Sequence, residues 1–324
     1  MSHSEEQLVS LYRWMILGRQ FELRVEDLAT RGLIPASVHQ GIGEEATLVG
    51  SAQALSQDDF MIPTHRGHIA AIAKGTDPKR LLAEILGRQD GLCGGRAGTT
   101  RFFDSSSNNL GAQAVLGSVF PIAVGAALTQ RRLNTGRVVL ALFGDGTSNE
   151  GTFHEGLNLS SLWRLPVIWL CVNNLYAMGT RFTNASSVPN VADRACAYGI
   201  PGRVIDGNDV VRVYEEVEEA RRRALSGEGP TLIECKTYRH KGHSAFDRNP
   251  YRSQEEMQAW LARDPILTFE RALRTQGVLD DERIQRIAAD VQGQVDEAEA
   301  FAVNSPEPRP ESALERIRYS GEGN

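Results

Sequence analysis

Two continuous apolar runs in the middle of the chain, each followed at once by polar residues, constrain the fold more than any other feature. The first run, Arg137–Phe143, leads into Gly144–Gly146, and the second, Pro166–Val172, leads into Asn173–Asn174. Runs that are apolar throughout, rather than alternating, are typical of strands buried on both faces of a parallel sheet. The sequence therefore predicts an α/β fold in which two neighbouring strands end in polar tips.

The two tips carry residues that suit a magnesium-diphosphate clamp. Asp145 and Asn174 are 29 residues apart, enough for one strand-helix-strand unit, so both side chains can reach the crevice at the carboxyl ends of the strands. Carboxylate and amide oxygens suit Mg²⁺, and we expect the carbonyl of Tyr176 to be the third protein ligand. Glycines beside Asp145 let a phosphate approach the backbone, and Ser148–Glu150 suits the start of a helix with free amides. Each tip alone is ordinary turn chemistry, so the prediction depends on the combination.

Further motifs surround these tips and follow one another along nearly the whole chain. They are GDGTSNEGTFHEGLNLSSLWRLPVIWLCVNN (144–174), THRGH (64–68), IPGRVIDGND (200–209), GEGPTLIECKTYRHKGHS (227–244), YRSQEE (251–256) and FAVNSPEP (301–308). Together they resemble the alpha subunit of the thiamin diphosphate-dependent, decarboxylating first component of 2-oxo acid dehydrogenase complexes. The family includes pyruvate, branched-chain and acetoin dehydrogenases. The resemblance implies a thiamin diphosphate-binding fold, with a parallel sheet flanked by helices on both faces.

We expect three regions along the chain. They are an N-terminal helical extension over residues 1–35, an α/β domain for the diphosphate side of the cofactor over 36–265, and C-terminal helices with a proline-rich arm over 266–324. Apolar spacing predicts helices over Ser4–Leu33, Glu44–Leu55, Pro78–Leu86, Val119–Leu133 and Asp281–Val303, and an extended arm at Pro306, Pro308 and Pro310. Two polar, irregular segments, 179–191 and 239–252, flank strand ends and are expected to be functional loops.

The resemblance implies a set of cofactor contacts. Arg66 and Arg239 match family arginines that pair with diphosphate oxygens, a task that suits bidentate guanidinium groups. Backbone contacts to the aminopyrimidine ring fall on Ala114 and Leu116. The expected metal ligands are Asp145, Asn174 and Tyr176, and the full expected cofactor-binding set is His65, Arg66, Ala114, Leu116, Gly144, Asp145, Gly146, Thr147, Asn174, Tyr176, Arg239 and His243.

Two histidines are the expected catalytic residues. His243 resembles the family histidine that precedes a serine in a mobile loop over the cofactor and serves acyl transfer and proton handling, for which a near-neutral pKa is suited. His39 resembles a second family histidine near the substrate carboxylate. His65 stands where pyruvate enzymes often have tyrosine and the acetoin type has histidine, which favours the acetoin type weakly.

Two segments depart from the family pattern. Where the family reads close to GKGGSMH, this chain has GRAGTTRFF (95–103), so Arg101 replaces the usual histidine. Where the family reads close to GANGIVG, this chain has GAQAVLG (111–117). The first segment lies near the substrate entrance in the family, so the identity of the substrate and of the acyl acceptor stays open. Backbone contacts of the second segment can survive the changes.

The resemblance also implies partners. Thiamin enzymes need a glutamate against the pyrimidine ring, which in this family a separate beta subunit supplies, so we expect an α2β2 heterotetramer. The expected activity is an oxidoreductase that acts on a small 2-oxo acid or acetoin-like substrate and passes the acyl group to a lipoyl-bearing acyltransferase component. One alternative is a split thiamin diphosphate enzyme of specialised metabolism with a non-lipoyl acceptor. A magnesium-dependent nucleotide enzyme lacks a GxxxxGK[ST] loop, and a binding subunit with a decayed site is disfavoured because the whole residue set is present.

Composition narrows the remaining classes. The chain has 324 residues, 41% hydrophobic residues and a net charge of −6. That charge, without a concentrated basic run, makes nucleic acid an unexpected partner. The polar, acidic start MSHSEEQ and the short apolar runs predict no membrane role. Four cysteines without CxxC spacing, two of them inside apolar runs, predict buried reduced thiols. The polar start and the short apolar runs predict a cytoplasmic protein if the source is bacterial.

Overall fold

The computed structural model describes residues 3–313 of the chain. Its strands are β1 Phe60–Ile62, β2 Val139–Gly144, β3 Val167–Asn173, β4 Tyr176–Ala177, β5 Thr180–Arg181, β6 Gly202–Asp206 and β7 Thr231–Lys236. Five of them form one parallel sheet in the order β1-β2-β3-β7-β6, whereas β4 and β5 form a small antiparallel hairpin. The expected parallel sheet is confirmed.

Helices cover both faces of this sheet. They are α1 Glu5–Thr30, α2 Glu45–Gln53, α3 His68–Lys74, α4 Pro78–Ile85, α5 Val119–Arg132, α6 Gly151–Leu162, α7 Val210–Leu225, α8 Gln254–Leu261, α9 Pro265–Thr275 and α10 Asp281–Asn304. Within residues 3–313, no helix is both long enough and apolar enough to cross a membrane.

Strand β2 shows how the apolar runs build two cores. Val139, Ala141 and Phe143 point into a core shared with α5 and α6, in which aromatic rings of Phe120, Phe153 and Trp169 pack. Leu140 and Leu142 point into the larger core on the opposite face. Successive side chains of a strand alternate between faces, so a run that is apolar throughout must be covered on both.

The register aligns the carboxyl ends of the central strands. Gly144 pairs with Val172 across β2 and β3, and Asn173 pairs with Lys236 across β3 and β7. Each of these pairs is the last of its ladder in the chain direction. The segments that follow β2, β3 and β7 therefore leave the sheet at one edge, where ligands bind in open α/β sheets.

The N- and C-terminal helices pack together outside the sheet. Helix α1 begins after Ser4, whose hydroxyl accepts a hydrogen bond from the amide of Gln7 at 3.2 Å and so caps the helix. Helix α10 packs against α4 and α1, and Arg24 of α1 pairs with Asp296 of α10 at 2.7 Å. The predicted helices at both ends are thus present within a residue or a few of their expected bounds.

Three local expectations need correction. The helix expected to start at Ser148 begins at Gly151, because a 3₁₀ turn, Gly146–Asn149, comes first. The segment 179–191 contains β5 and a 3₁₀ turn rather than a purely irregular loop. The proline-rich arm is not extended throughout, since Pro310–Ala313 forms a 3₁₀ turn, and residues 314–324 of the expected C-terminal region lie outside the described residues.

Candidate active site

Asp145 is a buried carboxylate without a hydrogen-bond partner on one of its oxygens. It follows β2 directly, is 2% exposed, and its Oδ2 atom meets no donor among the described residues. Burial raises the pKa of this carboxyl to about 7, and the nearby Glu44 adds to the effect. A buried, ionised carboxylate without a partner costs free energy, and a bound cation would offset that cost.

The neighbouring asparagines after β3 have different partners. Asn173 donates from Nδ2 to the carboxylate of Glu234 at 2.6 Å and accepts from the amide of Leu175 at 3.0 Å, so both ends of its side chain are engaged. Asn174 donates from Nδ2 to Glu44 at 2.7 Å, and its oxygen accepts only a longer bond, 3.3 Å, from the amide of Tyr176. Of the pair, Asn174 alone keeps an oxygen suited to a metal ion.

Gly146 of the first tip packs against Ala177, which lies in strand β4 just after the second tip. A Cβ atom on Gly146 would lie 2.4 Å from the Cβ of Ala177, which is closer than real side chains approach. Glycine is therefore required at this position for the two tips to meet. Tyr176, the expected third ligand, directly precedes Ala177 in β4.

Two buried arginines lie beside these tips. Arg239 is 1% exposed and donates to the carbonyl of Tyr176 at 3.4 Å and to the hydroxyl of Tyr251 at 2.9 Å. Arg66 is 3% exposed and donates to the carbonyl of Gln40 at 3.0 Å. Burial and the charge of Arg239 together lower the pKa of Arg66 to about 10. The two buried guanidinium groups repel each other, and an anion between them would relieve this repulsion. The site is therefore suited to binding a polyanion.

Three histidines from separate segments form a ring cluster next to Arg66. The ring centroid of His39 lies 5.1 Å from that of His65 and 4.9 Å from that of His243. Burial and the charge of Arg66 lower the pKa of His39 and of His243 to about 4 each, and that of His65 to about 2. All three rings are therefore neutral near pH 7. Two buried ring nitrogens, Nδ1 of His39 and Nε2 of His65, have no hydrogen-bond partner among the described residues.

The loop over residues 239–252 is ordered by one carboxylate. Asp247 accepts from the backbone amide of His243 at 2.8 Å and from the hydroxyl of Tyr251 at 2.5 Å. Burial is the largest single influence on the pKa of Asp247 and acts to raise it. The hydrogen bonds together outweigh burial and lower this pKa to about 2. The same tyrosine hydroxyl contacts Arg239, so the histidine loop and the arginine are linked through two side chains.

A pocket lies between the first tip and the segment GAQAVLG (111–117), the second of the two segments that depart from the family pattern. Its lining includes Thr64, His65, Gln113, Leu116, Gly144 and Thr147. Leu116 and Thr147 both line this pocket, whereas Ala114 does not. Arg101 is exposed.

Ala114 stands apart from the predicted site residues that line this pocket, and two further residues, Glu44 and Asp247, were not predicted from the sequence. Glu44 is 1% exposed and binds Asn174, whereas Glu45 beside it pairs with Arg19 at 2.5 Å. The sequence SVHQGIGEEA gave no signal to separate these two acids. Asp247 lay within a loop expected to be functional, but its spacing from His243 has no sequence signature.

The donor set fits a magnesium-bound diphosphate better than a histidine- or thiolate-bound metal. No group of three or more His, Cys, Asp or Glu side chains with metal-binding geometry occurs within residues 3–313. What the edge of the sheet offers is one unpaired carboxylate oxygen, one amide oxygen, a backbone carbonyl and two buried guanidinium groups. Such oxygen-poor protein sites are completed by phosphate oxygens and water in Mg²⁺ complexes.

Comparison with known proteins places the chain in a family. The family model described as Dehydrogenase E1 component matches residues 12–311. The alpha subunit of acetoin:2,6-dichlorophenolindophenol oxidoreductase from Bacillus subtilis (strain 168) is 40% identical over 99% of this chain and 96% of that protein. Pyruvate dehydrogenase E1 component subunit alpha-3, chloroplastic, of Oryza sativa subsp. japonica is 37% identical over 97% of this chain and 76% of that protein. The 2-oxoisovalerate dehydrogenase subunit alpha of B. subtilis (strain 168) is 36% identical over 97% and 96% respectively.

The fold, the site and these relatives define an α/β enzyme subunit of the thiamin-dependent dehydrogenase class. The chain belongs to the dehydrogenase E1 component family and is an alpha subunit of the kind found in 2-oxo acid dehydrogenases. The resemblance drawn from the sequence is thereby confirmed, and membership implies thiamin diphosphate as the cofactor. The alternative of a split enzyme with a non-lipoyl acceptor is not favoured by these relatives.

Proposed function

We propose that this chain is the alpha subunit of a thiamin diphosphate- and Mg²⁺-dependent dehydrogenase that acts on a small 2-oxo acid or acetoin-like substrate and passes the acyl group to a lipoyl carrier. The observation that carries the proposal is the unpartnered Oδ2 atom of the buried Asp145, in a site that also holds the buried Arg66 and Arg239. A metal-diphosphate unit satisfies all three groups at once, because it supplies a cation to the carboxylate and anionic oxygens to the guanidinium groups.

The protein's part in cofactor binding follows from its contacts. We assign the metal to Asp145, Asn174 and the carbonyl of Tyr176, and the diphosphate oxygens to Arg66 and Arg239. The guanidinium of Arg239 donates to neutral acceptors, namely the carbonyls of Tyr176 at 3.4 Å and Met178 at 3.2 Å and the hydroxyl of Tyr251 at 2.9 Å, so an incoming diphosphate oxygen would compete with these bonds. When bound, thiamin diphosphate supplies the electron sink for cleavage next to a carbonyl group.

The histidine cluster handles protons and orients the substrate in this proposal. His243 lies on the loop that Asp247 orders, and the rings of His39 and His65 lie within 4.9 Å and 6.1 Å of its ring centroid. The unpartnered Nδ1 of His39 and Nε2 of His65 are available to hydrogen-bond a substrate oxygen. Because the rings are neutral, each can give or take one hydrogen bond without attracting bulk water as a charged ring does.

A beta subunit completes the site. Several apolar side chains close to the site in sequence or in space stand in solvent, namely Val115 at 68%, Leu116 at 48%, Met178 at 64% and Phe246 at 72% exposed. Exposed apolar side chains around the opening of a site are typical of a protein–protein interface. We propose that a beta subunit covers them, provides the carboxylate for the pyrimidine ring, and assembles with this chain as α2β2.

The free state of all four cysteines supports a reducing compartment, and we propose the cytoplasm. Two relatives at 40% and 39% identity are acetoin oxidoreductase alpha subunits, which supports including acetoin among the substrates to be tested.

The test is co-expression of the chain with its beta subunit, followed by cofactor and substrate assays. Cleavage of acetoin, pyruvate and 2-oxoisovalerate is followed with 2,6-dichlorophenolindophenol as artificial electron acceptor, with and without Mg²⁺ and thiamin diphosphate. Turnover of at least one substrate that requires both supports the proposal. Full turnover by the alpha chain alone contradicts the shared site, and activity without thiamin diphosphate contradicts the proposal as a whole.

A further inference from the structure

Glu44 has no assigned role, although it lies at the centre of the site. It is the residue that immediately precedes helix α2, and its amide donates to the carbonyl of Gly41 at 3.0 Å. Its side chain is 1% exposed and accepts a hydrogen bond from Nδ2 of Asn174 at 2.7 Å. Burial raises the pKa of Glu44, and the charges of Arg66 and Arg239 act to lower it. The charge of Glu44 in turn adds to the effect of burial in raising the pKa of Asp145.

The contacts of Asn174 fix which end of its amide faces which neighbour. A backbone amide can only donate, so the atom that meets the amide of Tyr176 at 3.3 Å must be the oxygen. The nitrogen then points the opposite way, where Glu44 receives it. With Glu44 in place, a rotated amide would bring its nitrogen against the Tyr176 amide and leave Glu44 without a donor.

We infer that Glu44 is a positioning residue that orients Asn174 so that the amide oxygen, and not the amide nitrogen, is offered to the metal ion. This inference rests on the proposed function, because it takes Asn174 as a metal ligand. Glu44 touches neither the metal nor the substrate in this role. It acts as the outer partner of a ligand, as hydrogen-bond acceptors commonly do in metal sites.

Three substitutions separate this role from a general structural one. Glu44→Met keeps the length of the side chain but removes the acceptor, whereas Glu44→Gln keeps a carbonyl oxygen for Asn174. Glu216→Met is the matched control, since Glu216 is 8% exposed and pairs with Arg212 on α7, away from the site.

The experiment is calorimetric titration of Mg²⁺ into the full chain with its beta subunit, stripped of metal and saturated with thiamin diphosphate. We expect Glu44→Met to weaken Mg²⁺ binding by about ten- to a hundredfold, the usual cost of losing an outer partner. Glu44→Gln is expected to stay within about threefold of the parent because it keeps the hydrogen bond. Glu216→Met is expected to bind as the parent does.

Asp145→Ala and Asn174→Ala, run alongside, separate the two levels of the inference. If these variants lose Mg²⁺ while Glu44→Met binds normally, the positioning role is overturned and the metal site stands. If Glu44→Gln weakens binding as much as Glu44→Met, the charge of Glu44 matters rather than its hydrogen bond, and the inference is also overturned. If Asp145→Ala and Asn174→Ala bind Mg²⁺ normally, the metal site itself is wrong.

Discussion

The guanidinium of Arg66 holds His243 at two points, donating to its backbone carbonyl at 2.8 Å and to ring atom Nδ1 at 3.0 Å. A guanidinium group only donates, so Nδ1 must accept, and the neutral ring then carries its proton on Nε2. One arginine that is proposed to bind the diphosphate thus also sets the tautomer of the proposed catalytic histidine.

Arg66→Lys is expected to impair both functions while keeping a positive charge. A lysine cannot make the two-point contact, so we expect kcat to fall by about ten- to a hundredfold, the cost of one or two charge-assisted hydrogen bonds. Affinity for thiamin diphosphate should fall as well, measured by titration. Arg212→Lys, at an exposed side chain of α7, serves as the control, and an unchanged kcat in Arg66→Lys would contradict the dual role.

Asp145→Asn is expected to stabilise the cofactor-free protein while abolishing its response to Mg²⁺. The raised pKa of Asp145, about 7, means that the folded state loses stability as the pH rises from 3.8 through 7, because the unfolded chain gives up this proton more readily. The amide carries no charge, so we expect a gain of about 1–2 kcal/mol at pH 8 and less at pH 5. Thermal unfolding at the two pH values measures it, and a loss of stability at pH 8 would show that the carboxylate is already satisfied.

The histidine cluster is expected to make the cofactor-free protein sensitive to acid. The pKa values of His39 and His243 are lowered from 6.5 to about 4, and that of His65 to about 2. The unfolded chain takes up protons first, so stability is full above 6.5 and falls as the pH drops toward 4. Substitution of all three histidines by glutamine should reduce the change of the denaturant midpoint between pH 6.5 and pH 4.5. Equal slopes for the variant and the parent would assign the acid sensitivity to other groups.

Glu84 is expected to order the glycine-rich segment 93–98, which includes the start of the departing sequence GRAGTTRFF (95–103). It is fully buried in α4, and its carboxylate accepts from the amides of Cys93 at 2.7 Å, Gly95 at 2.9 Å, Ala97 at 2.7 Å and Gly98 at 3.1 Å. Glu84→Gln turns an NH₂ group toward two of these donors, which should lower the free energy of unfolding by about 3 kcal/mol. Hydrogen exchange of these four amides should accelerate, whereas the exposed Glu155→Gln leaves it unchanged. Unaltered exchange in Glu84→Gln would mean that the glycine-rich segment holds its own shape.

The sequence predicted the parts of the site that sit at the ends of regular elements. Asp145 and Asn174 follow buried strands, and strand order in a parallel sheet places such tips together. Glu44 escaped prediction because Glu44 and Glu45 are equivalent in pattern, and only the packing of α2 decides which one turns toward Asn174. The partners of His243 escaped for a related reason: side-chain hydrogen bonds within an irregular loop have no periodicity to read.

The contact between Gly146 and Ala177 fixes the width of the opening between the two strand tips before any ion arrives. An opening of set width discriminates between ions by radius: Mg²⁺ demands ligands at about 2.0–2.1 Å in near-octahedral array, whereas Ca²⁺ prefers about 2.3–2.6 Å and more of them. Gly146→Ala would wedge the tips apart. Under the proposed function, the enlarged variant should accept Ca²⁺ more readily than the parent does, because one added methyl group widens the opening.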